Sequence, residues 1–390
     1  MKNKGEYDIA IVGAGPAGSS AAIRLAQNGL RVVLVEQKRF PREKLCGEFI
    51  SPECLAHFAE LNILDEMTFS GGVAIGRTVF YARNGRSVAV PSEWFGSGAN
   101  ALGLSRAKMD DLLIKRARTA GAEVFEETSA VGPVLENGRV FGVRIRDAAR
   151  QIYKIRARLT IDATGRARIL ARQIENTDKR KRAAFVAFKT HLTAAAVPDG
   201  DCEIYAYRGG YGGCNRVEDG KFNLCFIVAA ALAKEHGGDA RRIIREVVFA
   251  NEHARESLEN ARIDGDWFAV PIETYGRAAL APADGLLTVG DAAAFIDPFT
   301  GSGILLALEG AKIAADVITD QFSSGRTQYS FANLKREYDR EYDSAFNKRL
   351  RFCSLLRHAA FVPFLAESVI KGLAQSKWLT RRFAVATRQS

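Results

Sequence analysis

Asp8-Ile9-Ala10-Ile11-Val12-Gly13-Ala14-Gly15-Pro16-Ala17-Gly18, with Arg31-Val32-Val33-Leu34-Val35-Glu36 after it, decides the fold of this chain. The run Asp8 to Val12, ending at turn glycines, has the pattern of a buried parallel strand. Pro16 to Asn28 reads as a helix and Arg31 to Glu36 as a second buried strand, which completes a βαβ unit within about 30 residues. In such a unit Gly13 allows the tight strand-to-helix turn, Gly15 lets backbone approach a pyrophosphate, and Gly18 lets helix and strand pack closely. Phosphates then sit on free N–H groups at the positive helix end. Glu36 lies 18 residues past Gly18, where an acid accepts hydrogen bonds from ribose hydroxyls and repels a 2′-phosphate. The pattern predicts dinucleotide binding. No GK[ST] follows, so it is not a mononucleotide P-loop.

The first motif does not separate FAD from NAD, but a distant segment does. Leu286 to Val289 reads as a short buried strand ending at Gly290-Asp291-Ala292-Ala293. Asp297-Pro298-Phe299-Thr300-Gly301-Ser302-Gly303 then opens a long apolar helix running to Phe322. An Asp at a strand end can bind a ribityl hydroxyl. A second glycine-lined helix start offers N–H groups to the pyrimidine edge of a flavin, where reduction places negative charge. Together the segments predict FAD.

The 390 residues exceed what one core usually serves, so two joined domains are expected. Apolar residues make up 47% and charged residues 26%, an ordinary globular balance. The net charge of +10 favours anionic partners. The six cysteines form no CxxC and no close Cys/His cluster, which argues against a zinc site or a dense disulfide framework and for reduced thiols in the cytoplasm. Met1 to Tyr7 lacks a signal-peptide pattern, and the longest apolar stretch, Leu224 to Ala233, is too short to span a bilayer.

Ala107 to Ala120 reads as a helix, Glu123 to Phe125 as a strand, Val140 to Ile145 with Gln151 to Leu159 as a hairpin, and Leu159 to Asp162 as a buried strand. Between Phe185 and Val270 strand-like segments (Phe185 to Leu192, Cys202 to Tyr207, Lys221 to Ala230) alternate with glycine-rich turns. With Val73 to Val90 they predict a separate antiparallel sheet. The expected class is α/β (α+β overall). A Rossmann-like FAD-binding domain is assembled from 1–72, 104–184 and 271–328. An antiparallel-sheet substrate domain, from 73–103 and 185–270, is inserted in it, and 329–390 form a helical C-terminal region.

Two further segments, Arg106-Ala107-Lys108-Met109-Asp110 and Asp162-Ala163-Thr164-Gly165, complete a set of four ordered motifs. With them the chain, over about residues 7–330, resembles the flavoprotein superfamily of p-hydroxybenzoate hydroxylase-type monooxygenases, flavin halogenases and geranylgeranyl reductases. The resemblance implies that Gly13, Gly15, Pro16, Ala17, Gly18, Glu36 and Gln37 bind the ADP half of FAD. It implies that Arg106, Asp162 and Gly165 lie near the cofactor, and that Gly290, Asp291, Pro298, Gly301, Ser302 and Gly303 bind its ribityl-phosphate and flavin.

Pro41-Arg42-Glu43-Lys44-Leu45-Cys46-Gly47-Glu48 resembles the P-x-x-K-x-C-G-G stretch of geranylgeranyl reductases, which places a cysteine beside the isoalloxazine. Lys44, Cys46 and Gly47 are then cofactor neighbours. Cys46 relays a proton to carbon while the flavin delivers hydride to an alkene. Arg42 and Lys44 activate the thiol or hold phosphates. The second reading of Cys46 is a small residue in a cofactor-lining turn. Glu48 replaces the second glycine and is expected to reach into substrate space.

Trp267-Phe268-Ala269-Val270-Pro271-Ile272 lacks the second tryptophan of the halogenase W-x-W-x-I-P stretch. Gly209-Gly210-Tyr211-Gly212-Gly213 resembles a reductase segment facing the flavin, with Tyr211 and Gly212 against substrate. Read without the resemblance it is a hairpin turn. Asp178 to Arg182 is a basic run without aromatic interleaving, a solvated loop rather than a nucleic-acid site. The tail mixes Arg349, Lys371, Lys377, Arg381 and Arg382 with Phe352, Ile370, Leu373 and Trp378, as either outer helices or a membrane-surface element. The leading expectation is an FAD-dependent reductase of a hydrophobic isoprenoid, quinone or polyketide-like lipid. NAD(P)H is its transient donor, and the location is cytoplasmic or at a membrane surface. Aromatic hydroxylation by a flavin monooxygenase, and a flavin-binding electron carrier or sensor, stay open.

Overall fold

Strand Lys2–Val12, helix Pro16–Gln27 and strand Val32–Val35 form the βαβ unit. The computed structural model describes residues 2–95, 98–176, 183–273, 276–297, 299, 301–323, 330–360, 370–373 and 375–386. Of the residues singled out above, Pro298 and the basic run Asp178 to Arg182 lie outside them.

Strand Lys2–Val12 is flanked in parallel by Val32–Val35 and, along nearly its whole length, by Ile152–Asp162. Glu123–Phe125 and Leu286–Thr288 extend the parallel sheet at its two ends. On its other edge the N-terminal half of Ile152–Asp162 pairs antiparallel with Arg139–Arg146, the hairpin read from the sequence. Strand Ser129–Glu136 extends that hairpin at the sheet edge. Gly132 and Pro133 hide it from sequence reading, and an edge strand is where proline is tolerated. Helices Pro16–Gln27, Arg106–Thr119 and Gly303–Ser323 cover one face. Their Ala21, Leu113, Leu308 and Ala311 join Ile9, Ile11 and Leu34 in one core.

A second, eight-stranded sheet carries, in order, Phe185–Thr193, Phe222–Ala229, Gly210–Arg216, Asp201–Tyr207, Arg77–Tyr81 and Ser87–Pro91. Phe268–Ile272 and Arg262–Ile263 pair on the outer side of Phe185–Thr193. Strand alternation sorts its side chains into two faces. Phe188, Leu192, Tyr205, Phe222, Leu224, Phe226 and Val228 pack with Ile243, Val248 and Leu258 from the helices beyond it, a core separate from the first. The opposite face roofs a cavity.

Two local expectations are corrected. Gly210–Arg216 is a central strand rather than a turn, and Arg208 and Gly209 make the turn before it. Its glycines are needed because the neighbouring strand comes so close: a Cβ on Gly210 would lie 2.0 Å from the Ile227 carbonyl oxygen. Val73–Ile75 is not part of the large sheet. The chain breaks at Gly76, whose N–H bonds to Gly200, and Val73–Ile75 joins Phe49–Ile50 and Ala101–Gly103 in a small three-stranded sheet between the two cores. The tail forms helices Phe331–Ala360 and Lys377–Ala386. No helix among the described residues is long and apolar enough to cross a membrane.

Candidate active site

A cavity of ≈ 800 Å³ lies between the parallel sheet and the roof of the second sheet. Its floor is the first glycine loop. Gly13 has φ +99°, and a Cβ there would sit 2.5 Å from the Ala163 carbonyl oxygen. At Gly18 a Cβ would fall 1.8 Å from the Gly13 carbonyl oxygen, so this glycine serves helix–strand packing and does not face the cavity. Gly15 differs: a Cβ there meets only the Arg106 Nη2, at 3.9 Å, and points into open cavity where a bulky group can approach the helix start. Pro16, Ala17, Gln37 and Glu36 line the same end. The Glu36 carboxylate accepts from Ala14 N–H at 2.9 Å and Lys38 N–H at 3.0 Å, which fixes it at the strand end.

Arg42, Lys44, Arg106 and Arg166 are among the cations that line the cavity, together with Asp291. Arg106 is held by Asp110 one turn along its helix, Nε to Oδ1 at 2.9 Å and Nη2 to Oδ2 at 2.7 Å, and Arg42 donates to the same carboxylate at 3.0 Å. Burial disfavours the charge on Arg106, but the Asp110 carboxylate, with Cys46 beside it, outweighs burial and raises its pKa. Lys44 has its pKa lowered by burial and by the positive charges of Arg42 and Arg106. Asp291 is pushed up by burial although Arg166, Arg106 and Lys44 pull it down. Gathering this much positive charge is costly unless an anion binds there.

The roof is apolar. Strand alternation points Thr78, Phe80, Val88, Val90, Ile204, Ala206, Tyr211, Cys225 and Ile227 into the cavity. Burial pushes the Cys225 thiol up to about 12, so it is a neutral wall group. Tyr211 donates to Asp297 Oδ1 at 2.5 Å and packs edge-on against Phe299, joining the roof to the second glycine segment. The tail closes the far end with Ile370, Leu373 and Ala384. Cys46 lies on the wall between the charged floor and the apolar roof, within hydrogen-bonding reach of the Arg106 guanidinium.

This architecture has counterparts. Residues 6–319 match the family model described as FAD binding domain. The chain belongs to that FAD-binding family, among its geranylgeranyl reductase-like members. It is 31% identical over 343 residues to a digeranylgeranylglycerophospholipid reductase of Methanosarcina acetivorans, covering 86% of this chain and 80% of that protein. Among solved structures, a geranylgeranyl bacteriochlorophyll reductase-like protein of Thermoplasma acidophilum superposes with a TM-score of 0.80 at 22% identity, covering 95% and 92% of the two chains. A flavin-dependent brominase superposes at 0.83 and 18% identity, covering 99% and 95%. The last two likenesses establish the fold alone.

The flavoprotein is an FAD-dependent oxidoreductase, and its cavity fits the cofactor. Open space over Gly15, the cations of the same cavity and a second glycine-lined helix start suit a diphosphate and a flavin ring. Of the predicted residues, Gly13, Gly15, Pro16, Ala17, Glu36, Gln37, Lys44, Cys46, Gly47, Arg106, Gly165, Gly290, Asp291, Gly301, Gly303 and Tyr211 all line this one cavity.

Besides Gly18, four others do not line it. Asp162 is fully buried and its carboxylate accepts from the N–H groups of Thr164, Leu170 and Ala171, so it shapes the turn that presents Gly165. Ser302 is fully buried behind Gly301 and Gly303. Gly212 falls on the other face of its strand from Tyr211, because neighbours in a strand alternate. Glu48 is fully buried and turned away from substrate space, into contact with Lys189 and His191. Sequence reading missed Lys189 and His191, Arg166, and the tail residues closing the far end. Arg166 stood one position past Gly165 and was within reach of the motif.

Proposed function

We propose that this flavoprotein reduces carbon–carbon double bonds in an isoprenoid lipid. The observation that carries the reading is the position of Cys46, on the seam between a charged, dinucleotide-sized floor and an apolar roof. Gly13 to Ala17 and Glu36 would hold the ADP half of FAD, Arg42, Lys44, Arg106 and Arg166 its phosphates, and Asp291 with Gly301 to Gly303 its flavin end. FAD, when reduced, supplies a hydride to carbon.

The chain supplies the rest. The roof of Phe80, Val88, Val90, Ile204 and Ile227 takes up a prenyl chain by burying it from water. The Cys46 thiol gives its proton to the second alkene carbon. The thiolate left behind faces Arg106, whose charge is secured by Asp110. The named relative acts in this reading as a guide: it is called a reductase of a geranylgeranylated phospholipid. Glu48 is buried outside the cavity lining, so it does not obstruct a prenyl chain there. NAD(P)H is proposed as a donor that docks transiently. Contact with a membrane surface is proposed through helix Lys377–Ala386, which exposes Trp378 and Leu379 next to Arg381 and Arg382.

The test is anaerobic reduction of a prenyl lipid by dithionite-reduced, FAD-loaded protein, with the Cys46→Ser variant alongside. Saturated product from the wild type and at least about tenfold less from the variant is expected for a lost general acid. Accumulation of a C4a-hydroperoxide absorbance on mixing with oxygen and a phenol, with no alkene reduction, would replace this reading with monooxygenation.

A further inference from the structure

Glu48 stands where the reductase loop carries glycine, and the backbone shows why glycine suits it: φ is +50°, in the left-handed region. A glutamate held there must be retained by other contacts. Those contacts come from three separate elements and from the link that leads into one of them. Its carboxylate accepts from Arg106 N–H at 2.8 Å, at the start of the helix that carries Arg106 and Asp110. It accepts from Lys189 Nζ at 2.5 Å and meets His191 Nε2 at 2.7 Å, both on strand Phe185–Thr193 of the roof. Its carbonyl accepts from Leu104 N–H at 3.3 Å and Asn215 Nδ2 at 3.4 Å. Its own N–H donates to Cys46 Sγ at 3.4 Å.

Lys189 is fully buried and bridges two acids of the same loop, since it also donates to Glu43 at 2.6 Å and to the Lys44 carbonyl at 3.3 Å. Burial works against its charge, but Glu48 and then Glu43 more than compensate and raise its pKa. A buried ion pair adds little to net stability compared with apolar packing, and its best-attested use is to specify one arrangement. Here the arrangement specified is the distance between two cores. The loop 41–48 belongs to the cofactor floor, and strand Phe185–Thr193 belongs to the roof. Alternate side chains of that strand, Lys189 and His191, reach down to the loop two and four residues from Ala187, which lines the cavity.

We propose that Glu48 is a positioning residue: with Lys189 and His191 it clamps the cysteine loop to the substrate sheet and thereby fixes Cys46 against Arg106 and sets the gap in which an alkene is held. The inference rests on the reading of Cys46 as proton donor for its purpose, but not for its measurement.

The experiment compares wild type with Glu48→Leu/Lys189→Met and with Glu48→Gln. The double variant removes the buried pair together, and Glu43, which loses Lys189, has a side chain 34% exposed to water, so the fold is expected to survive, with a melting temperature within a few degrees of wild type. The readout is the rate at which iodoacetamide alkylates Cys46 at fixed pH, followed by mass spectrometry with and without FAD, where no turnover occurs. The clamp predicts about tenfold faster alkylation in the double variant, and a fall in kcat of similar size with KM nearly unchanged, because displacing a reacting group by about 1 Å is costly. A folded double variant with wild-type alkylation rate would overturn the clamp. Should the double variant not fold, Glu48→Gln, which keeps the acceptor for Arg106 N–H, must show an intermediate acceleration, and an unchanged rate there overturns it equally. If Cys46→Ser reduces alkenes normally while the alkylation result holds, the proton-donor reading fails and the clamp stands.

Discussion

Arg106 and Asp110 meet in a two-point ion pair one helical turn apart, the arginine side chain 10% exposed and the aspartate 0%. Arg42 leans on the same carboxylate at 3.0 Å, so one buried acid serves two cations on the cavity floor. Removing that acid should leave Arg106 without its carboxylate partner and Arg42 with only the longer contact to Glu36 at 3.7 Å. Asp110→Asn is expected to lower unfolding stability by about 3–5 kcal/mol in the FAD-free protein. Saturating FAD should recover part of the loss, because a diphosphate offers the anions that Asp110 no longer does. Urea unfolding with and without FAD reads both effects. A deficit that FAD leaves untouched would mean these cations do not face its phosphates.

The glycines of the first loop should separate into two kinds. At Gly18 a Cβ would collide with the Gly13 carbonyl oxygen, so Gly18→Ala is expected to destabilise the fold by at least about 1–3 kcal/mol. At Gly15 nothing but the end of Arg106 lies within 4 Å of a Cβ. Gly15→Ala should therefore keep its stability to within about 0.5 kcal/mol. Its FAD affinity should nevertheless fall about tenfold or more, a change of about 1.4 kcal/mol, because the methyl occupies the approach to the helix start. Thermal unfolding of apo protein and flavin titration, run on both variants, distinguish packing from binding. Equal FAD affinity for wild type and Gly15→Ala would remove the pyrophosphate from that position.

Lys44 supplies a pH dependence. Its pKa is depressed in the folded protein by burial and by Arg42 and Arg106, so between that lowered value and the ordinary 10.5 the unfolded chain holds a proton that the folded chain has released. In that window more protons are bound by the unfolded state, and the contribution of Lys44 to apo stability rises with pH. Binding a diphosphate reverses the preference by favouring the ammonium, so FAD uptake should draw a proton from solution and weaken as pH rises through the same window. Calorimetric titration in buffers of different ionisation enthalpy measures the proton taken up. Lys44→Met should abolish the uptake, and an unchanged proton count in that variant would assign it to another group.

How far the sequence reached follows from the range of the forces involved. The βαβ unit was readable because its strand burial, glycine spacing and terminal acid fall within residues 8–36 and are locally determined. The second glycine segment was readable for the same reason, and both ends meet in one cavity as expected. Glu48 was misread as a substrate neighbour because its partners Lys189 and His191 lie 141 and 143 positions away. Nothing within the loop announces a lysine arriving from another sheet. The strand Gly210–Arg216 was obscured because its glycines answer to the closeness of Phe222–Ala229, a tertiary fact. Asp162 matched a cofactor motif and yet spends its carboxylate on the backbone of the following turn and helix. A motif match identifies the segment that matters, not which way each side chain points.

The far end of the cavity offers a measure of substrate length. Ala384, on helix Lys377–Ala386, lines the cavity and packs in one apolar cluster with Val90 and Phe95, close to Ile370 and Leu373. It is the smallest of these side chains. Ala384→Phe should therefore shorten the apolar space from the end remote from Cys46 without touching the charged floor. A prenyl chain that ends before this point loses little. A longer chain must compress or leave carbon exposed, and each methylene refused costs about 1–3 kcal/mol. The expected result is a fall in kcat/KM of about tenfold or more for a four-isoprene substrate, with less than about twofold change for a two-isoprene one. FAD affinity should be unaffected and the melting temperature only modestly lowered. An equal loss on both substrates would place the prenyl chain elsewhere. A loss confined to the short one would reverse its direction in the cavity.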